Sequence, residues 1–143
     1  MTAMQNTLRK KVAEILLIED NPQDVLLTQN AFKALEIPYN ITIARSGEHA
    51  WDMLQKSNYS FSNSLSLILL DLNLPKMEGI ELLKKIKSDE NLQDIPVIVL
   101  TGSVEQNHVV ASYDLHAVSY ITKPINLERQ HIIEDLLKIR RNK

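Results

Sequence analysis

The feature that most restricts how this chain can fold is a set of short runs made almost wholly of isoleucine, leucine and valine. The runs occupy residues 15–18, 67–70 and 97–100. A continuous apolar strand has both faces covered, as happens in a parallel sheet with helices on each side. With two further segments, the predicted strands are residues 14–19, 39–44, 65–70, 96–101 and 118–121. The second of these alternates between polar and apolar residues, so it is predicted to lie near an edge of the sheet.

Residues at helical spacing fill the intervals between these strands. Asn21 and Pro22 open the first predicted helix, because proline suits a first helical position, and Ser46 can cap the second. Residues 57–64 are rich in serine and asparagine and are predicted to form a loop. The five predicted helices are marked by Leu27, Ala31, Ala34 and Leu35; by Ala50, Trp51 and Leu54; by Ile80, Leu83 and Ile86; by Val109, Val110 and Tyr113; and by Ile132, Ile133, Leu136, Leu137 and Arg140.

This alternation of strand and helix predicts an α/β fold built from five units with right-handed crossovers. The expected arrangement is a five-stranded parallel sheet in the order 2-1-3-4-5, a flavodoxin-like, doubly wound three-layer sandwich. In that order the first and third strands are neighbours at the switch point of the topology. Ligands bind there, at the carboxyl ends of the strands.

Length and composition set limits on the function. The chain has 143 residues, which is enough for one domain. Its net charge of −2 argues against a general nucleic-acid surface, and the lack of cysteine excludes disulfides and thiol chemistry. Residues 1–13 are polar and do not resemble a signal peptide, so we predict a flexible tail followed by a domain of residues 14–143. No apolar run reaches the roughly 20 residues that span a bilayer. We therefore expect a cytoplasmic protein that binds neither DNA nor a membrane.

Three carboxylates are predicted at the carboxyl ends of the first and third strands. They belong to Glu19, Asp20 and Asp71. Their repulsion is unfavourable unless a cation joins them, and Mg²⁺ prefers oxygen ligands of this kind. We expect Mg²⁺ to be bound by Asp20 and Asp71, by Glu19 directly or through water, and by the backbone carbonyl of Asn73.

The residues at the strand ends also suggest phosphoryl chemistry. A carboxylate such as Asp71 can attack phosphorus and form an acyl phosphate. Thr101 ends the fourth strand and Lys123 follows the fifth, where a hydroxyl and an ammonium could stabilise a phosphoryl group. Each residue has an ordinary alternative: Asp71 as the cap of a turn, Asp20 and Asn21 as helix caps, Thr101 as a turn signal, and Lys123 as a surface charge.

Four segments of the chain together resemble the receiver domain of two-component response regulators. They are ILLIEDN at residues 15–21, LDLNLPKMEG at 70–79, VLTGS at 99–103 and YITKP at 120–124. In the family's order and spacing, the resemblance covers about residues 14–140. The segments EDN and DLNLP are also similar to those of single-domain regulators paired with phytochrome-class histidine kinases.

The resemblance implies a role for each site residue. Asp71 would accept a phosphoryl group from a phosphohistidine on a sensor histidine kinase. Glu19 and Asp20 would hold Mg²⁺, and Thr101 and Lys123 would contact the phosphoryl group. Many members of the family have aspartate where Glu19 stands, and we expect this difference to tune the metal site without abolishing it.

The resemblance also implies a conformational switch. Thr101 would move toward the phosphoryl group and Tyr120 would swing inward, which changes the surface of the fourth helix, fifth strand and fifth helix. The alternative for Tyr120 is core packing with its hydroxyl at the surface.

We expect a phosphoacceptor signalling protein without an output domain, and not an enzyme. It would act through a partner, through self-association or by passing the phosphoryl group on. The last predicted helix has more apolar residues than one core-facing stripe needs, which predicts a homodimer, the alternative being a broad core face. These residues are Ile132, Ile133, Leu136, Leu137 and Ile139.

Four other functions fit the sequence less well. A flavodoxin would need a loop rich in Ser, Thr or Gly after the first strand, where this chain has Glu19, Asp20 and Asn21. A P-loop NTPase is excluded because its glycine-rich motif is absent. A Mg²⁺-dependent phosphohydrolase usually has a second carboxylate two residues after its aspartate nucleophile, where this chain has Asn73. A receiver fold that binds partners without being phosphorylated is disfavoured by the complete acidic site. The histidines, His49, His108, His116 and His131, show no metal-ligand spacing.

Overall fold

A computed structural model describes residues 12–74, 79–102, 119–123, 125, 133–135 and 137. Within these residues, strands and helices alternate along the chain. The elements are β1 (Ala13–Ile18), α1 (Pro22–Phe32), β2 (Tyr39–Ala44), α2 (Gly47–Asn63), β3 (Leu67–Asp71), α3 (Gly79–Ser88), β4 (Val97–Thr101) and β5 (Ser119–Thr122). Residues 133–135 and 137 are also helical.

The five strands form one parallel sheet in the order β2-β1-β3-β4-β5. This confirms the predicted sheet and its order, with the alternating strand β2 at an edge. The strand ends lie within two residues of the prediction. β1 begins at the buried Ala13, one residue before the predicted start of the first strand.

The register of the strands brings their carboxyl ends to one edge of the sheet. Ile18 at the end of β1 pairs with Leu70, and Asp71 at the end of β3 pairs with Leu100. Thr101, which ends β4, pairs with a residue at the end of β5. Residues that end different strands are therefore close in space although they are far apart in sequence.

The core has two layers because successive residues of a strand point to opposite faces of the sheet. On one face, Leu16 and Leu70 pack with Leu54 of α2 and Leu83 of α3. On the other face, the core is formed by alternate strand residues together with residues of α1 and of the last helical segment. These residues include Ile15, Leu17, Leu69, Ile98, Leu100, Val25, Phe32, Ile133 and Leu137.

α1 matches the predicted apolar stripe only in part: Ala31, and Leu35 just beyond the helix, pack against the core as partly buried residues. Its buried residues are Val25, Thr28 and Phe32, whereas Leu27 is 49% exposed. The helix ends at Phe32, so the markers Ala34 and Leu35 lie beyond its last turn. The segment carries two overlapping sets of apolar residues at helical spacing. The set that includes Phe32 faces the core.

The prediction of a loop at residues 57–64 is partly wrong. α2 continues to Asn63, but residues 57–59 have positive φ angles of 54°, 56° and 65°, which interrupt the helix. The hydroxyl of the buried Ser62 donates to the carbonyl oxygens of Leu54 at 2.7 Å and Tyr59 at 3.1 Å. Serine can thus satisfy carbonyls that the interruption takes out of the helical pattern.

The remaining helix predictions have mixed outcomes. The N-cap at Ser46 is confirmed by its hydrogen bond to the backbone N–H of His49 at 3.0 Å, and α3 buries Leu83 and Ile86 as predicted. Among the described residues, no helix is long and apolar enough to cross a membrane. Several predicted features lie outside the described residues: Ser103, the fourth helix with Val109, Val110 and Tyr113, the start of the fifth strand at Val118, the histidines His108, His116 and His131, and Ile132, Leu136, Ile139 and Arg140 of the last helix.

Candidate functional site

The acidic residues that end the first and third strands lie together at one edge of the sheet. Glu19 and Asp20 follow β1, and Asp71 is the last residue of β3. One carboxylate oxygen from each lies within 4.8 Å of the others. Glu19 and Asp71 are buried and Asp20 is exposed. The cluster is therefore open on one side and enclosed on the other.

The start of α1 fixes the loop that holds two of these acids. Asn21 is the N-cap residue, and its side-chain oxygen accepts hydrogen bonds from the backbone N–H groups of Gln23 at 2.8 Å and Asp24 at 3.2 Å. Pro22 occupies the first helical position. The backbone N–H of Asn21 donates to Glu19 Oε2 at 3.4 Å. The helix cap thus orients the Glu19 carboxylate, while Asp20 precedes the cap.

Asp71 both caps a turn and faces the acidic cluster. Its Oδ1 accepts a hydrogen bond from the backbone N–H of Asn73 at 3.1 Å and lies 3.3 Å from Lys123 Nζ. The turn-cap alternative for Asp71 is thus present in the structure. It does not exclude a role in chemistry, because the same carboxylate lies beside the other acids.

Gly79 allows α3 to begin directly against the backbone that follows Asp71. Its N–H donates to the carbonyl oxygen of Leu72 at 3.2 Å. A Cβ atom at Gly79 would lie 2.7 Å from Leu72 Cα and 2.8 Å from the carbonyl oxygens of Asp71 and Leu72. Only glycine fits such a close approach without a shift of the backbone.

Lys123 is the positive charge of the site and contacts three carboxylates. Its backbone N–H donates to the Thr101 carbonyl oxygen at 2.7 Å, which fixes the chain after β5. Its Nζ lies 3.3 Å from Glu19 Oε1, 3.3 Å from Asp71 Oδ1 and 2.8 Å from Asp24 Oδ2. The sequence placed Lys123 at this site but did not single out Asp24. The available signal was its position as the third residue of α1, in the turn that starts at this edge of the sheet.

The pKa values of two groups in the site are raised, each for a different physical reason. Burial, with the hydrogen bond and charge of Asp71, raises the pKa of Glu19 to about 8, against the opposing effects of Lys123 and the Asn21 N–H. For Lys123, burial lowers the pKa, but the hydrogen bond to Asp24 and the surrounding carboxylate charges outweigh it and raise the pKa above its usual range. A cation-free cluster therefore retains a proton on Glu19 at neutral pH.

The donor set fits a hard divalent cation. It consists of carboxylate oxygens, and two of the three acids are buried. Besides the charge of Lys123, the metal-free cluster holds a proton on Glu19, which a bound cation could replace. Hard cations are bound by oxygen ligands, and the smaller ones keep water on their exposed side. The exposed Asp20 leaves room for that arrangement.

Thr101 and Tyr120 lie on β4 and β5, the strands on the other side of β3 from β1. Thr101 is buried at the end of β4, the strand next to the one that ends in Asp71. Tyr120 of β5 is partly buried and packs against the core layer beneath α2 and α3. The structure thus places both residues where the sequence predicted them, and their movement stays a prediction.

The order of these elements and the residues at their ends can be compared with known proteins. The family model described as the response regulator receiver domain matches residues 15–135. The chain belongs to the response regulator receiver family. This receiver domain has the family's helices on both faces of the sheet and its acids at the carboxyl edge.

Response regulator Rcp1 is similar to this receiver in both sequence and fold. Response regulator Rcp1 of Synechocystis sp. is 45% identical over 115 residues, which cover 80% of this chain and 78% of Rcp1. A crystal structure of the Mn²⁺-bound form of Rcp1 is 42% identical with a TM-score of 0.68, covering 91% of this chain and 90% of that one.

Two further solved structures extend this similarity. The bacteriophytochrome response regulator AtBRR is 34% identical with a TM-score of 0.77, covering 90% of this chain and 94% of that one. The phosphorylated cyanobacterial phytochrome response regulator RcpA is 39% identical with a TM-score of 0.69, and the match covers 92% of this chain and 90% of the RcpA chain. The receiver described here is thus similar to phytochrome response regulators in both sequence and fold.

Proposed function

We propose that this receiver accepts a phosphoryl group on Asp71 from a phosphohistidine of a sensor histidine kinase, in a Mg²⁺-dependent reaction. The observation that carries the proposal is the surroundings of Asp71. Its buried carboxylate ends a strand, lies 3.3 Å from the ammonium of Lys123, and shares a cluster with Glu19 and Asp20. The backbone carbonyl of Asn73 would complete the set of oxygen ligands for Mg²⁺.

In the proposed reaction, a carboxylate oxygen of Asp71 attacks phosphorus. The new P–O bond forms as the P–N bond to the imidazole breaks, and the electron pair of the broken bond returns to the imidazole nitrogen. Lys123 and the hydroxyl of Thr101 stabilise the negative charge on the phosphoryl oxygens. A bound Mg²⁺ neutralises part of the same charge. Attack of water on phosphorus later releases phosphate and restores the Asp71 carboxylate.

The comparisons support this proposal through properties of other proteins. Rcp1 has been crystallised in a Mn²⁺-bound form, and RcpA has been crystallised in a phosphorylated form. Mn²⁺ and Mg²⁺ both accept carboxylate oxygen ligands. The acidic cluster of this chain offers ligands of that kind.

The central test is labelling with a small acyl-phosphate donor. Wild-type protein, Asp71→Asn and Asp52→Asn are incubated with acetyl phosphate and Mg²⁺, and the phosphorylated fraction is measured by mass spectrometry of the intact protein. Asp52→Asn makes the same chemical change at an exposed position on α2. We expect wild-type protein and Asp52→Asn to be labelled. Labelling should be absent in Asp71→Asn, and it should be lost from the other two proteins when Mg²⁺ is chelated. Equal labelling of all three proteins would contradict the assignment.

We also propose that the phosphoryl donor is a histidine kinase of the phytochrome class. The support is the similarity to Rcp1, AtBRR and RcpA in both sequence and fold. The test compares initial rates of phosphotransfer from several purified, autophosphorylated histidine kinases of the same organism. The phytochrome-class kinase is expected to transfer fastest, and equal or slower transfer than from the other kinases would overturn this pairing.

We further propose that phosphorylation acts on a surface formed by the fourth predicted helix, β5 and the last helix, and that this surface supports a homodimer. Of the five apolar residues that suggested the dimer, Ile133 and Leu137 are buried in the core. The dimer proposal therefore rests on Ile132, Leu136 and Ile139. Sedimentation with and without beryllofluoride measures the mass in the two states, and a monomer mass in both would refute it.

A further inference from the structure

Asp24 makes the shortest contact to the positive charge of the site, although it lies outside the acidic trio. Its Oδ2 is 2.8 Å from Lys123 Nζ, whereas Glu19 and Asp71 are each 3.3 Å away. The side chains of Lys123 and Asp24 are 17% and 28% exposed, so the ion pair is only partly open to water. This pairing lies at the rim of the site.

The position of Asp24 is set by the start of α1. Asp24 is the third residue of the helix, and its backbone N–H is bound by the N-cap Asn21 at 3.2 Å. The backbone of Asp24 is thus held by the helix cap, independently of the acidic trio. By contrast, Glu19 and Asp71 belong to the proposed metal and phosphoryl centre.

The donors of Lys123 can be assigned on this basis. A lysine ammonium has three N–H donors, and three carboxylates lie within 3.3 Å. When a phosphoryl group occupies Asp71, the contacts to Asp71 and Glu19 are the ones that it can replace. The contact to Asp24, which is outside the acidic trio, can remain.

We propose that Asp24 is a positioning residue that holds the ammonium of Lys123 over Asp71 and so prepares it to contact a phosphoryl group. This inference rests on the proposed function for what Lys123 contacts, but the ion pair itself can be tested separately. Lysine has a flexible four-carbon side chain, and its ammonium is a compact charge that one fixed acceptor can orient.

Two effects of Asp24 on an anionic ligand have opposite signs. If Asp24 orients Lys123, its removal weakens binding, because the free side chain must be ordered when the ligand binds; we expect about three- to tenfold. If Asp24 acted only through its negative charge, its removal would strengthen binding of the anion. The sign of the change therefore decides between the two.

The first experiment measures the dissociation constant for beryllofluoride, a phosphoryl mimic, in the presence of Mg²⁺. The variants are Asp24→Ala, Asp24→Asn and the control Glu48→Gln, which removes a charge from the first turn of another capped helix, α2. We expect about three- to tenfold weaker binding for Asp24→Ala, a smaller loss for Asp24→Asn because its amide oxygen still accepts a hydrogen bond, and no change for Glu48→Gln. Tighter binding by both Asp24 variants would overturn the proposal.

The second experiment measures the Lys123 amine in metal-free protein, without any phosphoryl mimic. Competitive acetylation followed by peptide mass spectrometry gives the relative reactivity of each lysine. Without its fixed acceptor the Lys123 side chain is freer to extend into solvent, so we expect Lys123 to react faster in Asp24→Ala than in wild type or Glu48→Gln. Unchanged reactivity would refute the ion pair.

If wild-type protein neither binds beryllofluoride nor is labelled at Asp71, the proposed function fails. The reactivity of Lys123 in metal-free protein still tests the role of Asp24 in that case. Thermal unfolding of each variant verifies that it is folded.

Discussion

At the scale of single residues, the site combines groups that the sequence could predict with one that it could not. Glu19, Asp20 and Asp71 were predicted to meet because each ends a strand and the strand order makes β1 and β3 neighbours. Asp24 was not predicted, because its contact with Lys123 depends on how far the long side chain of the residue after β5 reaches. Sequence spacing gives the positions of strand ends, but it does not give the reach of a flexible side chain.

The buried carboxyl of Glu19 makes a prediction about pH. Its pKa is 4.5 in an unfolded chain and about 8 in the folded, metal-free protein. Between these values the native state holds the extra proton, so the free energy of unfolding should fall as pH rises through that window. Urea unfolding from pH 5 to pH 9 with a chelator present measures this slope. We expect Glu19→Gln to lose much of this pH dependence and the exposed Glu48→Gln to keep it. An unaltered slope in Glu19→Gln would show that Glu19 is not the group that holds the proton.

Gly79 makes a prediction about packing. In Gly79→Ala, the new methyl group would lie less than 3 Å from the backbone at Asp71 and Leu72. The backbone must shift, and overpacking of this kind typically lowers stability by about 1–3 kcal/mol. Chemical denaturation measures the loss, with the exposed Glu81→Ala in the same first turn of α3 as the control. Equal stability of Gly79→Ala and wild type would show that the backbone at Asp71 and Leu72 has room for a methyl group at Gly79.

At the scale of elements, the strands were predicted better than the helices. A buried strand is marked by a continuous apolar run, and all five strands lie within two residues of their predicted bounds. α1 has competing apolar stripes, so Leu27 looked internal although Val25, Thr28 and Phe32 form the buried face. In α2, the polar residues suggested a loop, but hydrogen bonds of Ser62 support a helix that resumes after a left-handed break.

The break in α2 makes a prediction about Ser62. In Ser62→Ala, the carbonyl oxygens of Leu54 and Tyr59 lose the hydroxyl that donates to them. Because Ser62 is buried, we expect a loss of about 1–3 kcal/mol in the free energy of unfolding. The matched control is Ser64→Ala, which removes a 2.7 Å hydrogen bond to the Phe61 carbonyl at an exposed position and should have a much smaller effect. Equal losses in urea unfolding of the two variants would show that burial does not decide the effect.

At the scale of the whole molecule, the sheet separates two cores and gathers the site at one edge. Because β1 and β3 both contribute acids, a cation bound there would link two central strands. The fold class and strand order followed from the sequence, since only a parallel sheet suits such runs with helices between them. The ion pairs of Lys123 with Glu19 and Asp24 required coordinates, because they join segments about 100 residues apart.

The link between strands predicts stabilisation by Mg²⁺. A ligand that binds only the folded state adds roughly 2.7 kcal/mol at a hundred times its dissociation constant. The thermal midpoint of wild-type protein should therefore rise with Mg²⁺ concentration, and Asp20→Asn should show a smaller rise. Asp52→Asn, which makes the same charge change at an exposed position on α2, is the control and should show the wild-type rise. A midpoint that does not respond to Mg²⁺ in wild-type protein would contradict the metal site.

The position of the site at the strand ends has a consequence for how such a protein can evolve. Within β1, β3 and β4, aliphatic residues fill the interior, while the polar groups of the site stand at or just beyond the last position. Exchanges among leucine, isoleucine and valine inside a strand can accumulate by drift without altering the chemistry. AtBRR, which shares only 34% of its residues with this chain, still superposes with a TM-score of 0.77. Selection on signalling can thus act on a few terminal positions while the interior of each strand diverges.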